Sequence, residues 1–250
     1  MEYHIVKSKR GGVVKGIAFG LMLVMLSVRM TDAAVMTRIV AIQGVVQVRR
    51  GLEETWQPAA VGQALEEMDS ILTGEASEVV LKISDQVTFR LGGNSIIDLT
   101  DLRRITTQEL FLMIMSEKIG TLEQKGEKTP LQLGNVTVVH GSNKSGEGNS
   151  IAVTDRWRPM YNGAGALFSQ GLYPNAALKL VRIINRYPEA GDCGQCYFLL
   201  GRSFAALEQR GQALEAMESC LRKIASGGCD DPATLERRRT AEMAIEQLRP

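Results

Sequence analysis

The hydrophobic period of this chain changes partway along, and that change constrains the fold more than any other feature. From Thr37 to about Leu99 the apolar residues fall in short, β-branched runs broken by turn residues, and beyond residue 150 they recur at helical spacing. A period near two suits half-buried strands, and a period of 3.6 suits amphipathic helices. The pattern therefore predicts an α+β chain with a small all-β part first and a helical part second. At 250 residues, 44% of them hydrophobic and 23% charged, the chain is long enough and apolar enough for two folded domains rather than a disordered polymer.

The β part opens with Ile39, Val40, Ile42, Val45, Val46 and Val48, interrupted by Gly44, where a bulge or bend is expected. Further strands are expected over 79–83, 87–91 and 95–99, separated by Ser84-Asp85-Gln86 and Gly92-Gly93-Asn94, which have turn chemistry. This spacing predicts a small sandwich or barrel. Thr106-Thr107-Gln108-Glu109 fits a capping box and opens a helix expected over 107–122, although the apolar stretch Leu110 to Met115 also suits a buried strand. A further strand is expected over 131–139. Residues 141–150, Gly-Ser-Asn-Lys-Ser-Gly-Glu-Gly-Asn-Ser, hold almost nothing to bury and mark the domain boundary. The expected organisation is a leader over 1–34, a β-domain over 35–140 that includes the helix, a linker over 141–156 and helical repeats over 157–250.

The leader is read from charge order. Lys7, Lys9, Arg10 and Lys15 precede an apolar run from Gly16 to Val28, and Thr31-Asp32-Ala33-Ala34 follows with small residues. That is the order of a secretory signal, and the run is shorter than the ~20 residues a membrane span needs. Cleavage near Ala33 or Ala34 is expected; an uncleaved leader would instead anchor the chain at its N-terminus. Removing residues 1–33 takes away five Lys/Arg and two Asp/Glu, which moves the formal charge from +1 to −2 and leaves no basic footprint for nucleic acid.

Residues 37–102 resemble the FecR-like domain. The resemblance is carried by Gly44-Val-Val-Gln-Val, then Trp56, Pro58 and Gly62, then Asp69-Ser70-Ile71-Leu72-Thr73-Gly74 with Ser77, the paired runs at 79–83 and 87–91, and Asn94-Ser95-Ile96. It continues more weakly to about 140. Asp69 is expected to bond backbone amides of its turn, Thr73-Gly74 to form a tight turn with Gly74 at positive φ, and Trp56 to pack in the core or at its rim.

The helical part carries two self-similar frames. The first is Ala164, Leu167, Gly171, Ala176, Leu180, Ile183 and Pro188, and the second is Tyr197, Leu200, Gly201, Phe204, Ala213, Met217 and Cys220. Both resemble tetratricopeptide repeats, at an offset of 37 residues where that family has 34. Residues 232–248 would close the stack, with Leu235, Ala241, Met243 and Ile245 inward and Glu236-Arg237-Arg238-Arg239 on the solvated side. The four cysteines lie in this half, and Cys193-Gly-Gln-Cys196 is a CxxC spacing. Such a spacing also serves zinc and redox sites, but no strand precedes it and export favours structural disulfides. In the repeat frame the expected pairs are Cys196 with Cys220 and Cys193 with Cys229.

No catalytic motif is found. There is no nucleophile elbow, phosphate loop or HExxH spacing, and beyond the leader His140 is the one histidine. Neither a cofactor nor a metal is expected. The expected role is an exported, non-catalytic protein-interaction module of the cell envelope. The groove that the tetratricopeptide resemblance implies would include Arg158, Tyr161, Phe168, Phe198 and Arg202. Association with peptidoglycan through the β-domain, and a sensory role coupled to an outer-membrane transporter, are the alternatives.

Overall fold

A computed structural model describes residues 37–125 and 157–249. The expected leader, the strand over 131–139, His140 and the linker over 141–156 lie outside the described residues.

Two four-stranded antiparallel sheets form the first part. The strands are β1 (Thr37–Gln43), β2 (Val46–Arg49), β3 (Gln57–Pro58), β4 (Ala64–Leu65), β5 (Ser70–Thr73), β6 (Glu78–Lys82), β7 (Thr88–Leu91) and β8 (Ile96–Asp98). They are ordered β4-β1-β6-β7 in one sheet and β3-β2-β5-β8 in the other. Inward residues alternate along the strands, and Ile39, Leu81 and Phe89 from one sheet meet Val48, Ile71 and Ile97 from the other in one buried cluster. Gly44 is the corner at which the chain leaves the first sheet for the second. It sits at φ +74°, and the Ser77 hydroxyl occupies the space a Cβ would need while accepting the Val45 N–H at 2.9 Å. Asp69 does what its turn position implies: its buried carboxylate accepts the Gly51 and Glu66 amides, each at 3.0 Å. The positive φ expected at Gly74 falls instead on Ala76, at 50°.

Among the described residues six α-helices follow: α1 (Thr107–Lys125), α2 (Trp157–Ser169), α3 (Tyr173–Arg186), α4 (Gln195–Ala206), α5 (Arg210–Gly227) and α6 (Pro232–Leu248). The capping box forms, with the Thr106 hydroxyl accepting the Glu109 N–H at 3.2 Å and the Glu109 carboxylate accepting the Thr106 N–H at 2.7 Å. Leu110 and Ile114 of α1 join the core of the helical part, and Phe111 stacks on Phe204 of α4 at 6.4 Å. The expectation that this helix belongs to the β-domain is therefore corrected, because its apolar face is buried by the helical part. The two sequence frames superimpose as core: Ala164, Leu167, Ala176, Leu180 and Ile183 are buried, and so are Gly201, Phe204, Ala213, Met217 and Cys220 one frame later. In α6 only Ala241 and Ile245 of the expected apolar face are buried, while Leu235 and Met243 are about half exposed.

The helices are seated directly on the sandwich. Gly163 of α2 lies against the Ile96 carbonyl of β8, where any Cβ would collide. The Gln170 side chain completes the edge of β7, accepting the Arg90 N–H and donating to the Arg90 carbonyl, both at 2.8 Å. Leu167 and Ala176 belong to the sandwich core. From α3, Asn175 donates to the Asp101 and Arg103 carbonyls at 2.9 and 2.7 Å, and the buried Lys179 ammonium reaches Asp101 at 2.5 Å and Asp98 at 3.6 Å. Among the described residues no helix is long and apolar enough to cross a membrane.

Removing one member of a buried ion pair strands the other charge, which costs more than replacing both. Lys179→Met is expected to lower stability by about 3–5 kcal/mol, and Lys179→Met with Asp101→Leu to recover most of that loss. Urea unfolding followed by circular dichroism checks this, and a single variant as stable as the parent would refute it. Burial pushes the Asp98 carboxyl up, but Lys179, the Ser70 hydroxyl at 2.6 Å and Arg49 together hold it below the ordinary carboxylate range. Its contribution is therefore present above the unfolded value of about 4 and is lost as pH falls through the lower folded value.

Candidate functional site

Four of the five residues expected to dock a partner converge on one surface. Helix α2 presents Tyr161 and Phe168 seven residues apart, and α4 presents Phe198 and Arg202 four apart, spacings that keep each pair on one helix face. The Arg202 guanidinium bridges the two helices, with its carbon 4.7 Å from the Phe168 ring centroid and 5.9 Å from that of Phe198. Tyr173, at the start of α3, meets Phe168 edge-on at 5.2 Å and extends the aromatic surface. All three phenylalanine and tyrosine positions named for docking are half-buried, so their rings are held by packing yet still reach solvent. The fifth residue, Arg158, lies at the start of α2 over the Trp157 ring at 4.8 Å, and Trp157 in turn meets Tyr161 edge-on at 6.5 Å.

The surface is cationic. Neither α2 nor α4 contains an aspartate or a glutamate. Burial and the neighbouring Cys196 push the Tyr161 phenol up, against the pull of Arg237 and Arg202. The position of Arg237 corrects an expectation, since α6 does not turn all of Glu236-Arg237-Arg238-Arg239 to solvent. Arg237 is half-buried and donates to the Cys193 carbonyl at 2.8 Å and to the Thr234 hydroxyl at 3.2 Å. A run of three arginines conceals such a residue, because only the phase of the helix distinguishes it from its neighbours.

The cysteines divide. Cys193 and Cys229 form the expected disulfide and tie the start of α4 to the loop between α5 and α6. The other expected pair, Cys196 with Cys220, does not form; both are buried as free thiols. Their surroundings supply the reason: Cys196 is packed into the apolar cluster shared with α1, α2 and α3, whereas Cys220 is packed into the cluster formed with α6. Cys220 takes the core place that Ile183 holds one frame earlier and behaves as a small apolar residue there. Burial pushes the Cys196 thiol up to about 12 and the Cys220 thiol up to about 11.

Elsewhere, Trp56 has one face covered by Arg49 at 5.3 Å, which leaves a glycan less of the ring to stack on. A groove of about 440 Å³ that sequence reasoning missed runs between α1, α3, α4 and α5, lined by Phe111, Ile114, Val181, Ile184 and Leu200 among others. Its signal was the apolar side of α1, which faces α3 rather than the sandwich. Among the described residues no group of three or more His, Cys, Asp or Glu is arranged to hold a metal ion. The chain matches no protein-family model, no curated protein and no solved structure at a significant level.

The thiol assignments have a direct check. At mildly alkaline pH, Cys196 and Cys220 are expected to resist alkylation in the folded protein and to react fully once it is unfolded, when their values return to about 8.5. Removing the disulfide with Cys229→Ser, which opens a loop spanning 36 residues, is expected to cost about 2–4 kcal/mol. Mass spectrometry of labelled peptides and thermal unfolding read the two outcomes, and rapid labelling of Cys220 in the native protein would overturn the first.

Proposed function

We propose that this chain is an exported, non-catalytic docking protein of the cell envelope that holds a protein partner on the exposed face of α2 and α4. One observation carries the proposal. Arg202 lies over Phe168 and Phe198, so a cation and two held rings from separate helices form a single patch. Aromatic and arginine side chains that are immobilised before binding lose little entropy on association, which is why such residues dominate binding energy at interfaces.

The rest of the molecule supports this reading. The resemblance of residues 37–102 to the FecR-like domain and of the helix hairpins to tetratricopeptide repeats gives a scaffold that presents a surface. The Cys193–Cys229 disulfide suits an oxidising compartment, in keeping with the charge order of the first 34 residues. The buried polar groups are engaged with one another: Asp69 with Arg50 and two backbone amides, and Lys179 with Asp101. These pairings serve the structure.

The test is capture from envelope extracts by the immobilised protein. A protein partner is expected to be retained by the parent chain and to bind about 10- to 100-fold more weakly to Phe198→Ala and Arg202→Ala, with folding verified by circular dichroism. Recovery of peptidoglycan without protein would overturn the proposal. Substrate turnover abolished by one point change would do the same.

A further inference from the structure

Two surfaces among the described residues carry unpaired charge of opposite sign, each beside exposed or half-buried apolar side chains. The first is the face of α2 and α4. Arg202 makes its two ring contacts and no ion pair, and its own helix offers no carboxylate. The second is a loop end of the sandwich, where the turn after β2 and the turn before β5 are held side by side because Gly51 and Glu66 both donate to Asp69. Leu52 and Met68 project from these turns, 88% and 61% exposed. Glu53, Glu54, Glu66 and Glu67 flank them, and all four are exposed.

Nothing among the described residues neutralises those four carboxylates. Arg50, the cation of this end, is committed to Asp69 at 2.6 Å, and Glu53 accepts only a long contact from Gln57, at 3.5 Å. The two turns enclose a shallow depression of about 740 Å³ with Leu52 and Glu66 on its walls. A leucine left almost fully in water, within a ring of acidic residues, matches in chemistry a surface of aromatic rings crossed by an unpaired guanidinium. Three of the four sheet edges are short or occupied. The outer strands β3 and β4 have two residues each, and Gln170 occupies the edge of β7.

We infer that this acidic loop end docks on the Phe168, Phe198 and Arg202 face of a second copy of the chain, head to tail. Leu52 and Met68 cover the rings, and the glutamates around them pair with Arg202. The inference rests on the docking reading above and names one occupant for that face. Because the two contacting patches differ, the contact is heterologous and adds copies in a row or a ring rather than closing as a two-fold dimer. Association driven by opposite charge weakens as salt shortens the screening length.

The experiment is sedimentation equilibrium of the purified chain at low and high salt, with a charge exchange. The parent is expected to self-associate at low salt and to move toward monomer at high salt. Arg202→Glu alone, or Glu53→Arg with Glu66→Arg, opposes like charges and is expected to weaken association about 100-fold. An equimolar mixture of the two variants restores opposite signs at every contact and is expected to assemble again. A parent that stays monomeric at the highest soluble concentration overturns the inference, as does assembly indifferent to Arg202→Glu or a mixture that fails to reassemble. In those cases, partner capture that still depends on Phe198 leaves the docking reading standing; capture indifferent to Phe198 and Arg202 removes that reading as well.

Discussion

A lysine ammonium taken out of water must find its countercharge, and in this protein the countercharge belongs to a different part of the chain. Lys179 sits on α3, Asp98 ends β8 and Asp101 lies in the turn that follows. An uncompensated charge at this depth would cost several kcal/mol, so α3 has only one acceptable seat on the sandwich. Asn175, one turn earlier on the same helix, bonds the backbone around the same turn and fixes the rotation of the helix as well as its position. The aromatic face of α2 and α4 inherits its orientation from that seat, because α2 packs on α3 and its Gly163 presses on β8.

The seating of the helices also bears on how a small sandwich tolerates its open edges. A strand edge exposes a row of unpaired amides and carbonyls, which natural proteins shorten, charge or cover. Here β3 and β4 are short, and the edge of β7 is completed by the Gln170 side chain, from the turn just after α2. The helical part thus contributes to the β part both apolar cover, through Leu167 and Ala176, and hydrogen bonds. The two halves are one packed unit.

Much of this was legible in the sequence, and the failures have physical causes. Local chemistry read well: the Thr106 and Glu109 capping box, the bend at Gly44 and the amide-binding role of Asp69 each depend on a few neighbouring residues. The 37-residue repeat frame located the core of two helix hairpins, and with it the convergence of Phe168, Phe198 and Arg202, since helical phase fixes which residues share a face. What failed depended on which distant surface covers which. The partner of α1 was misassigned because an apolar helix face does not record whether a sheet or another helix will bury it. Cys196 and Cys220 looked paired because an antiparallel hairpin brings its ends together, yet each is turned into a different apolar cluster. The buried ion pair was invisible, as Asp101 and Lys179 are 78 positions apart with nothing unusual around either.

The Gln170 contact has a consequence for how the chain comes into being. Its two bonds reach back 80 positions to Arg90. A polypeptide delivered amino end first has every strand of the sandwich in hand well before that glutamine arrives. During this interval β7 offers bare amides and carbonyls to any neighbouring chain, the exposure from which aggregation starts. Protection comes only when the helices land.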